Sequence, residues 1–378
     1  MAEVPSGVKT VHLTSVHPRY DTRIFLKECR SLAANGYDVS LLVADGKGDE
    51  KKDGVQILDV GASSGRLARM AMTTRRILKR AIALDAAIYH LHDPELLPVG
   101  LSLTRRGKQV IFDAHEDVPK QLLAKTYLGP RRLRLISRLY ASFERYACRR
   151  FAGVVAATPT IGDKFLAIND QTVVVNNFPF LDELESDMPW DQDRDSVCYV
   201  GAISATRGIR EIVEAIGKAK PSARLILAGA FAEPNTEEDV RSMQGWSKTE
   251  ALGYIGRDEL REVLGRSAAG LVTLHRTPNH MESQPIKMFE YMSAGIPVIA
   301  SDIPLWQRII SEAECGYCVD PHDSDAIAAK IDELLSNQAE AKRLGANGRR
   351  AIEDRYNWTA EERKLLELYA TLTGQSSS

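Results

Sequence analysis

The chain has 378 residues, of which 44% are hydrophobic, 26% charged and 7% aromatic, with a net charge of −2. Such a composition excludes a disordered, collagen-like or coiled-coil chain, and at about 100–200 residues per domain the length favours two domains. The near-neutral balance argues against a surface built throughout to coat nucleic acid, and no apolar run approaches the ~18 residues that cross a bilayer.

In chain order, the opening Met1-Ala-Glu-Val-Pro5 has neither the basic stretch nor the apolar core of a signal peptide, so a cytoplasmic location is expected. Strand patterns follow at 8–16, 37–44, 56–60, 87–92, 109–114, 153–158 and 172–176, with amphipathic helical stretches between them, among others at 22–34, 66–84 and 159–167. Short β-branched runs separated by helices predict a parallel sheet of βαβ units. The alternation breaks at 178–195, which is acidic, bracketed by prolines and without sustained period; residues 179–195 read as a linker.

It then restarts, with strands at 196–202, 223–229, 252–255, 270–274, 298–300 and 317–320, helices at 207–218, 258–268, 285–294 and 305–313, and a helical tail from about 323 to 372. The expected fold class is α/β, with two doubly wound Rossmann-like domains, residues 1–178 and 196–355, and a terminal segment at 356–378. Ligands of open parallel sheets bind outside the carboxyl ends of the strands, so the two domains are expected to face an active cleft. The five cysteines, Cys29, Cys148, Cys198, Cys315 and Cys318, are scattered and odd in number. Only Cys315 and Cys318 form a C-x-x-C, with no second pair to complete a zinc set, and all five read as reduced thiols.

The most informative stretch is His280-Met-Glu282-Ser283-Gln284-Pro285-Ile-Lys287-Met-Phe-Glu290-Tyr-Met-Ser-Ala-Gly295. Pro285 suits the first turn of a helix, on which Lys287 and Glu290 are i, i+3 neighbours. A helix start offers free N–H groups and positive potential to a phosphate, whereas ionised carboxylates only accept hydrogen bonds and so suit hydroxyl-rich ligands. On that chemistry Glu282 grips sugar hydroxyls, Lys287 and the helix start take a diphosphate, and Glu290 takes a ribose, with Ser283 and Gln284 as further donor-binding residues.

Glu282 and Glu290 form the E-x7-E motif of retaining glycosyltransferases with the GT-B fold, and the chain resembles glycosyltransferase family 4 over nearly its whole length. The supporting motifs come in the family's order: Asp113-Ala-His115-Glu116, Tyr199-Val-Gly201 through Arg207, Leu252-Gly-Tyr-Ile-Gly256-Arg257, the E-x7-E, and Tyr356-Asn-Trp358 before a final helix. The resemblance implies a nucleotide-sugar donor, UDP-sugar favoured, and a growing, lipid-linked bacterial surface glycan as acceptor. It implies no metal or other cofactor, and a final helix that returns to the N-terminal domain. It places Arg207 on the donor diphosphate beside Lys287, with Gly201 letting the backbone approach, and His115 next to the donor sugar. Alternatives within reach of the same fold are a sugar-nucleotide epimerase and a non-catalytic glycan-binding protein.

The chain departs from the family pattern twice. Ala202 stands where an arginine usually follows the glycine, so Arg257 or Arg23 is expected to supply the missing cation. The first loop, His17-Pro-Arg-Tyr-Asp21-Thr22-Arg23, lacks the usual glycines; Asp21 reads either as a helix N-cap or, with Thr22 and Arg23, as a contact to donor or acceptor. His90 and His92 alternate on one strand face, but no third ligand is identifiable and no metal site is expected. Asp191-Gln-Asp193 has the spacing of a metal-binding D-x-D but sits in the acidic linker, and reads as solvated charge.

Residues 66–150 carry eighteen Lys and Arg against seven Asp and Glu. Within 131–150, Leu133, Ile136, Tyr140, Phe143 and Ala147 follow helical spacing and are expected to pack on the sheet. Arg131, Arg132, Arg134 and Arg138 then lie on the remaining faces. A basic amphipathic helix of this kind suits an anionic membrane surface, which makes a peripheral location on the inner face of the cell membrane an expectation; no nucleic-acid recognition motif accompanies the charge.

Overall fold

In the computed structural model, residues 7–63, 65, 69–123, 129–181, 183, 184, 190 and 194–374 are described. The chain divides into two units, one formed by residues 1–177 with 360–378 and the other by 178–359.

The first unit is built on eight strands: β1 (Lys9–Leu13), β2 (Asp38–Val43), β3 (Glu50–Lys52), β4 (Val55–Asp59), β5 (Ile88–Leu91), β6 (Gln109–Ala114), β7 (Gly153–Ala156) and β8 (Thr172–Val174). They lie in the order β3-β4-β2-β1-β5-β6-β7-β8. Every pairing is parallel except β3 with β4. Strand β3 escapes the hydrophobic pattern because Glu50-Lys-Lys52 is wholly polar. Its signal lies instead in the turn Asp53-Gly54, where both residues have positive φ (50° and 80°), the two-residue hairpin preference of Asp-Gly.

Asp21 caps the first helix, its carboxylate accepting from the Arg23 and Ile24 amides at 2.9 Å. The Phe25 and Leu26 amides both reach the Asp21 carbonyl, so the helix opens widely wound over Thr22–Cys29 and tightens only at Arg30–Ala34. The final helix, Trp358–Leu372, contributes its residues from Ala360 onward to this first unit. Glu361 accepts the Asn176 amide at 2.8 Å, and Tyr369 is fully buried.

The second unit has six parallel strands, β9 (Ser196–Val200), β10 (Arg224–Ala228), β11 (Thr249–Gly253), β12 (Ser267–Val272), β13 (Val298–Ser301) and β14 (Gly316–Val319), in the order β11-β10-β9-β12-β13-β14. Helices cover both faces, so β12 is buried at every residue and reads as a continuous apolar run. The segment expected to be a linker departs from that reading. Phe178 and Leu184 are buried in the core of the second unit, and the Phe178 ring lies 4.7 Å from Phe289 and 5.3 Å from Tyr356. Their aperiodic spacing among acidic residues hid two core anchors. Asp191 and Asp193 lie outside the described residues.

The helix Gln338–Asp354 packs with its Gly345 directly on the Gly295 carbonyl, where any Cβ would collide with that oxygen. Alanine normally stabilises a helix interior by about 1 kcal/mol over glycine; here overpacking against backbone reverses the sign. Gly345→Ala is expected to lower unfolding stability by roughly 1–3 kcal/mol, read from the urea midpoint. A stabilised variant would show that the helix stands farther off.

Candidate active site

In the second unit the strand order reverses between β9 and β12, and it is at the carboxyl ends of such a strand pair that open α/β sheets bind ligands. Strand β9 runs into Gly201, held at φ 107°, then into a short turn, Ala205–Arg207. Gly208 follows at φ 76° and caps the helix Ile209–Lys218. A Cβ at Gly208 would fall on the Thr273 carbonyl just beyond β12, so this turn is pinned to the neighbouring strand end. The His275 amide adds a 3.0 Å bond to the Thr206 carbonyl.

Lys287 enters from the helix Ile286–Ser293, which Pro285 precedes as its N-cap without any side-chain cap. The Lys287 ammonium is buried and has no hydrogen-bond partner. It rests 3.4 Å from the centre of the Tyr199 ring and beside Gly201. Arg207 shares the same tyrosine through its hydroxyl, and that hydroxyl is pushed up to about 12, first by burial. Burial first, and the Arg207 charge second, depress the Lys287 ammonium well below the usual lysine range. Two cations thus converge on one tyrosine at the strand end, and Arg207 forms no ion pair with any described residue. That is the electrostatic form of an anion site.

Glu290, one helical turn beyond Lys287, is buried and takes Arg257 Nη1 on its Oε1 at 2.6 Å. Arg257 Nε meanwhile holds Glu183 at 2.7 Å. Arg257 is therefore committed to two carboxylates and does not supply the cation expected in place of the missing arginine; it orients Glu290 instead. Glu282 closes the short helix Pro278–Met281. Ser283 Oγ donates to the His280 carbonyl at 3.1 Å, and the Ser283 carbonyl accepts Trp306 Nε1 at 2.7 Å, which fixes the loop between the two glutamates. The side-chain oxygen of Gln284 is buried without a partner. Tyr199, the platform for both cations, was missed at the sequence level. Its signal was parity, since residues 199 and 201 share a strand face.

In the first unit the corresponding reversal lies between β1 and β5. There Asp93 Oδ2 accepts from Thr14 Oγ1 (2.9 Å), the Ser15 amide (2.5 Å) and Ser15 Oγ (3.1 Å). His17 bridges Asp93 and Asp21 at 3.4 and 3.3 Å. His115, just past β6, places Nε2 2.7 Å from Asp113 Oδ2, and its ring stands 5.2 Å from that of His17. Asp113 orients His115, whereas Glu116 is bonded to Gln121.

Arg23 is not a phosphate ligand in this geometry. It is buried, grips Asp113 with Nε and Nη2 at 2.8 and 2.9 Å, and donates to the Val175 carbonyl at 2.7 Å. Burial opposes the Asp113 charge, yet Arg23 and the flanking imidazoles hold the carboxyl well below its usual range. Asp21 serves as the N-cap, and the exposed Thr22 opens the helix.

Two Rossmann-like units, each with polar side chains at the carboxyl ends of a reversing parallel sheet, define the GT-B class. The solved structures agree. Sucrose-phosphate synthase from Thermosynechococcus elongatus superposes with a TM-score of 0.77 at 19% identity, over 97% of this chain and all of that one. Anabaena HepE in complex with UDP gives 0.72 at 12%, over 96% and 99%. The family model for the glycosyl transferase 4-like domain matches residues 22–177, and that for glycosyl transferases group 1 matches 182–351. The chain belongs to the group 1, family 4 glycosyltransferases. Among its relatives are the phosphatidyl-myo-inositol mannosyltransferase of Mycobacterium leprae, 24% identical over 83% of this chain and 82% of that protein, and the O-antigen chain mannosyltransferase C of Escherichia coli, 26% identical over 78% and 77%.

A buried, unsatisfied cation costs about 1–3 kcal/mol or more, of which stacking on Tyr199 returns about 2 at most. Lys287→Met removes the cost and keeps the volume. The ligand-free variant is expected to unfold at higher denaturant than the wild type, by about 1 kcal/mol. Destabilisation instead would mean that Lys287 has a partner in the resting protein.

Proposed function

We propose that the protein is a retaining glycosyltransferase that moves a hexose from a nucleoside-diphosphate sugar, a UDP-sugar in the first instance, to a lipid-linked glycan. The observation that carries the donor half of this reading is the buried Lys287 ammonium, without a hydrogen-bond partner, converging with Arg207 at the strand reversal. A diphosphate there satisfies both cations and draws on the uncapped helix start. Glu290, steadied by Arg257, accepts from the ribose hydroxyls, and Glu282 with Ser283 and Gln284 lines the sugar. As the bond to the anomeric carbon breaks, negative charge builds on the leaving diphosphate. Arg207 and Lys287 are fixed in advance to stabilise it, so donor activation needs no divalent ion. His115, aimed by Asp113, positions the sugar. Departure and attack on one face of the ring retain configuration, and the leaving phosphate takes the acceptor proton.

The acceptor half rests on the helix Pro130–Cys148. Its geometry corrects the expectation of a single apolar stripe on the sheet. Leu133, Ala147 and Cys148 are buried, but Ile136 and Phe143 are 40% and 37% exposed, alongside Leu135 at 59%, Leu139 at 63% and Tyr146 at 44%. At about 100° per residue these five share one outward face. Arg131, Arg132, Arg134, Arg138, Arg145, Arg149 and Arg150 are all exposed and flank it. An apolar face bordered by arginines lies in the headgroup region of an anionic bilayer, and this reading has the enzyme sit peripherally on the inner membrane surface where a lipid-linked acceptor resides. No helix among the described residues is long and apolar enough to cross a membrane.

For the donor site, calorimetry with UDP and with GDP is expected to show Arg207→Ala weakening binding by at least the ~1.5–3 kcal/mol of a charged hydrogen bond. Glu290→Ala should weaken nucleotide binding by a similar amount yet leave pyrophosphate affinity unchanged, because only the ribose contact is lost. Turnover assayed promptly in excess EDTA should persist, and a loss that Mg2+ or Mn2+ restores would overturn the metal-independent step.

For the membrane face, the wild type should float with anionic but not zwitterionic liposomes, and release as salt shortens the screening length to below about 8–10 Å. Replacing Arg131, Arg132 and Arg134 with Gln should cost up to about 3 kcal/mol of that binding and spare turnover of a short soluble acceptor. Absence of flotation at low salt would point to a soluble acceptor.

A further inference from the structure

Beneath the strand reversal of the first unit, three histidines and a glutamate close on one point. His12 on β1 and His90 on β5 are register partners and share a sheet face, and His92 lies two residues past His90 on that face. The first helix lays Glu28 across them. The four side chains have no exposed surface. His12 Nδ1 and His92 Nε2 are 2.8 Å apart, and Glu28 Oε2 lies 3.9, 3.8 and 4.0 Å from His12 Nδ1, His90 Nδ1 and His92 Nε2. All four ligand atoms fall within 4.8 Å of one another. Zinc bound at about 2.0–2.1 Å in a tetrahedron spaces its ligands about 3.3 Å apart, a value the observed separations bracket.

We propose that His12, His90, His92 and Glu28 form a structural zinc site.

Two features of the surroundings favour a metal over a plain hydrogen-bond network. Both carboxylate oxygens of Glu28 are buried without a hydrogen bond. Arg23 Nε stands 3.1 Å from Glu28 Oε1, but the guanidinium spends its hydrogen bonds on Asp113 and the Val175 carbonyl. Satisfied buried polar groups are the rule, and a carboxylate orphaned among three imidazoles asks for a cation. The outer partners also fit. His92 turns Nδ1 to Asp113 Oδ2 at 3.2 Å, and the Tyr369 hydroxyl lies 3.2 Å from His12 Nε2; the same hydroxyl, 2.9 Å from His90 Nδ1, would give up that nitrogen to the ion. A carboxylate behind a ligating imidazole is the usual way its tautomer and orientation are fixed.

Arg23 and Asp113 neutralise each other, so Glu28 leaves a divalent ion with one residual positive charge, as in other sites built from neutral histidines and a single carboxylate. Nitrogen and oxygen donors in a closed four-membered set suit zinc over calcium or magnesium. With every ligand buried and no position open to solvent, the ion would tie β1, β5 and the first helix together beneath the final helix rather than act on a substrate.

Two other groups among the described residues could compete for the ion: the half-exposed Glu211, His275 and His322, and His92, Asp113 and His115, which share His92 with the site. The test therefore uses tag-free protein carrying His322→Ala, and Glu28→Gln, which leaves the His92, Asp113 and His115 group whole, separates that group from the proposed site. After dialysis against a strong chelator at mildly acidic pH, this protein is loaded with zinc chloride, desalted and analysed by elemental mass spectrometry. About one zinc per chain is expected, with a rise in melting temperature. Glu28→Gln, which keeps the shape and loses the anion, should bind zinc about 100-fold more weakly. In the protein with all four ligands intact, cobalt should give the intense visible bands of four-coordinate Co(II), a readout that survives even if Glu28→Gln fails to fold. Failure of the parent protein to take up zinc, octahedral-type cobalt spectra, or undiminished zinc affinity in a folded Glu28→Gln would each overturn the site.

Discussion

A lysine ammonium buried without a hydrogen-bond partner is an unfavourable thing for a fold to keep, and the architecture around Lys287 is the means of keeping it. The charge has left water, Arg207 opposes it more than the Glu290 carboxylate supports it, and it leans on the Tyr199 ring for partial compensation. Each neighbouring element constrains that position. Gly208 locks the Arg207 turn to the end of β12, Gly201 allows the backbone its φ of 107° beside the lysine stem, and the Ser283–Trp306 bond ties down the loop before the helix. Strain of this kind is stored where a ligand relieves it, and an anion with two negative centres relieves both cations together.

Around His115 and Asp93 the first unit treats buried charge in the opposite way. Arg23, Asp113, His92 and His115 are mutually satisfied, and Asp93 collects three donors from the end of β1. Where the second unit presents unmet positive charge, the first presents preorganised imidazoles whose orientation is fixed from behind by carboxylates. Such a surface suits neutral, hydroxyl-bearing groups better than a diphosphate. On the proposed function this asymmetry in charge satisfaction divides the labour, since a donor is held by its phosphates and a sugar by its hydroxyls.

Much of this was legible in the sequence, for identifiable reasons. Buried parallel strands are near-continuous apolar runs, so most of the described strands left a pattern, whereas the exposed β11 begins three residues before the expected run and β3, being Glu-Lys-Lys, left none. The E-x7-E spacing put Lys287 and Glu290 on one helical face because that follows from helical geometry alone. Partner choice among charged residues was not legible. Arg23 and Arg257 are arginines near the right motifs, yet each is committed to carboxylates remote in sequence, Asp113 for the one and Glu183 with Glu290 for the other. The same long range hid His12 and Glu28 from a reading that found His90 and His92 on one face and saw no third partner.

The helix Pro130–Cys148 shows what periodicity can and cannot tell. Apolar residues at helical spacing gave the helix correctly, but a 19-residue helix carrying Leu, Ile, Tyr, Phe and Ala at so many positions has apolar residues for two faces. One face, centred on Leu133, Ser137, Glu144 and Ala147, is buried even though it contains a serine and a glutamate. Glu144 enters it because Lys164 meets its carboxylate at 2.6 Å. With the buried face satisfied by a salt bridge, Leu135 and Leu139 are released to the surface, where burial within the first unit gives them no stabilisation. Exposed leucines between arginines gain nothing from water, and it is this pairing of residue types on which the proposed membrane contact rests.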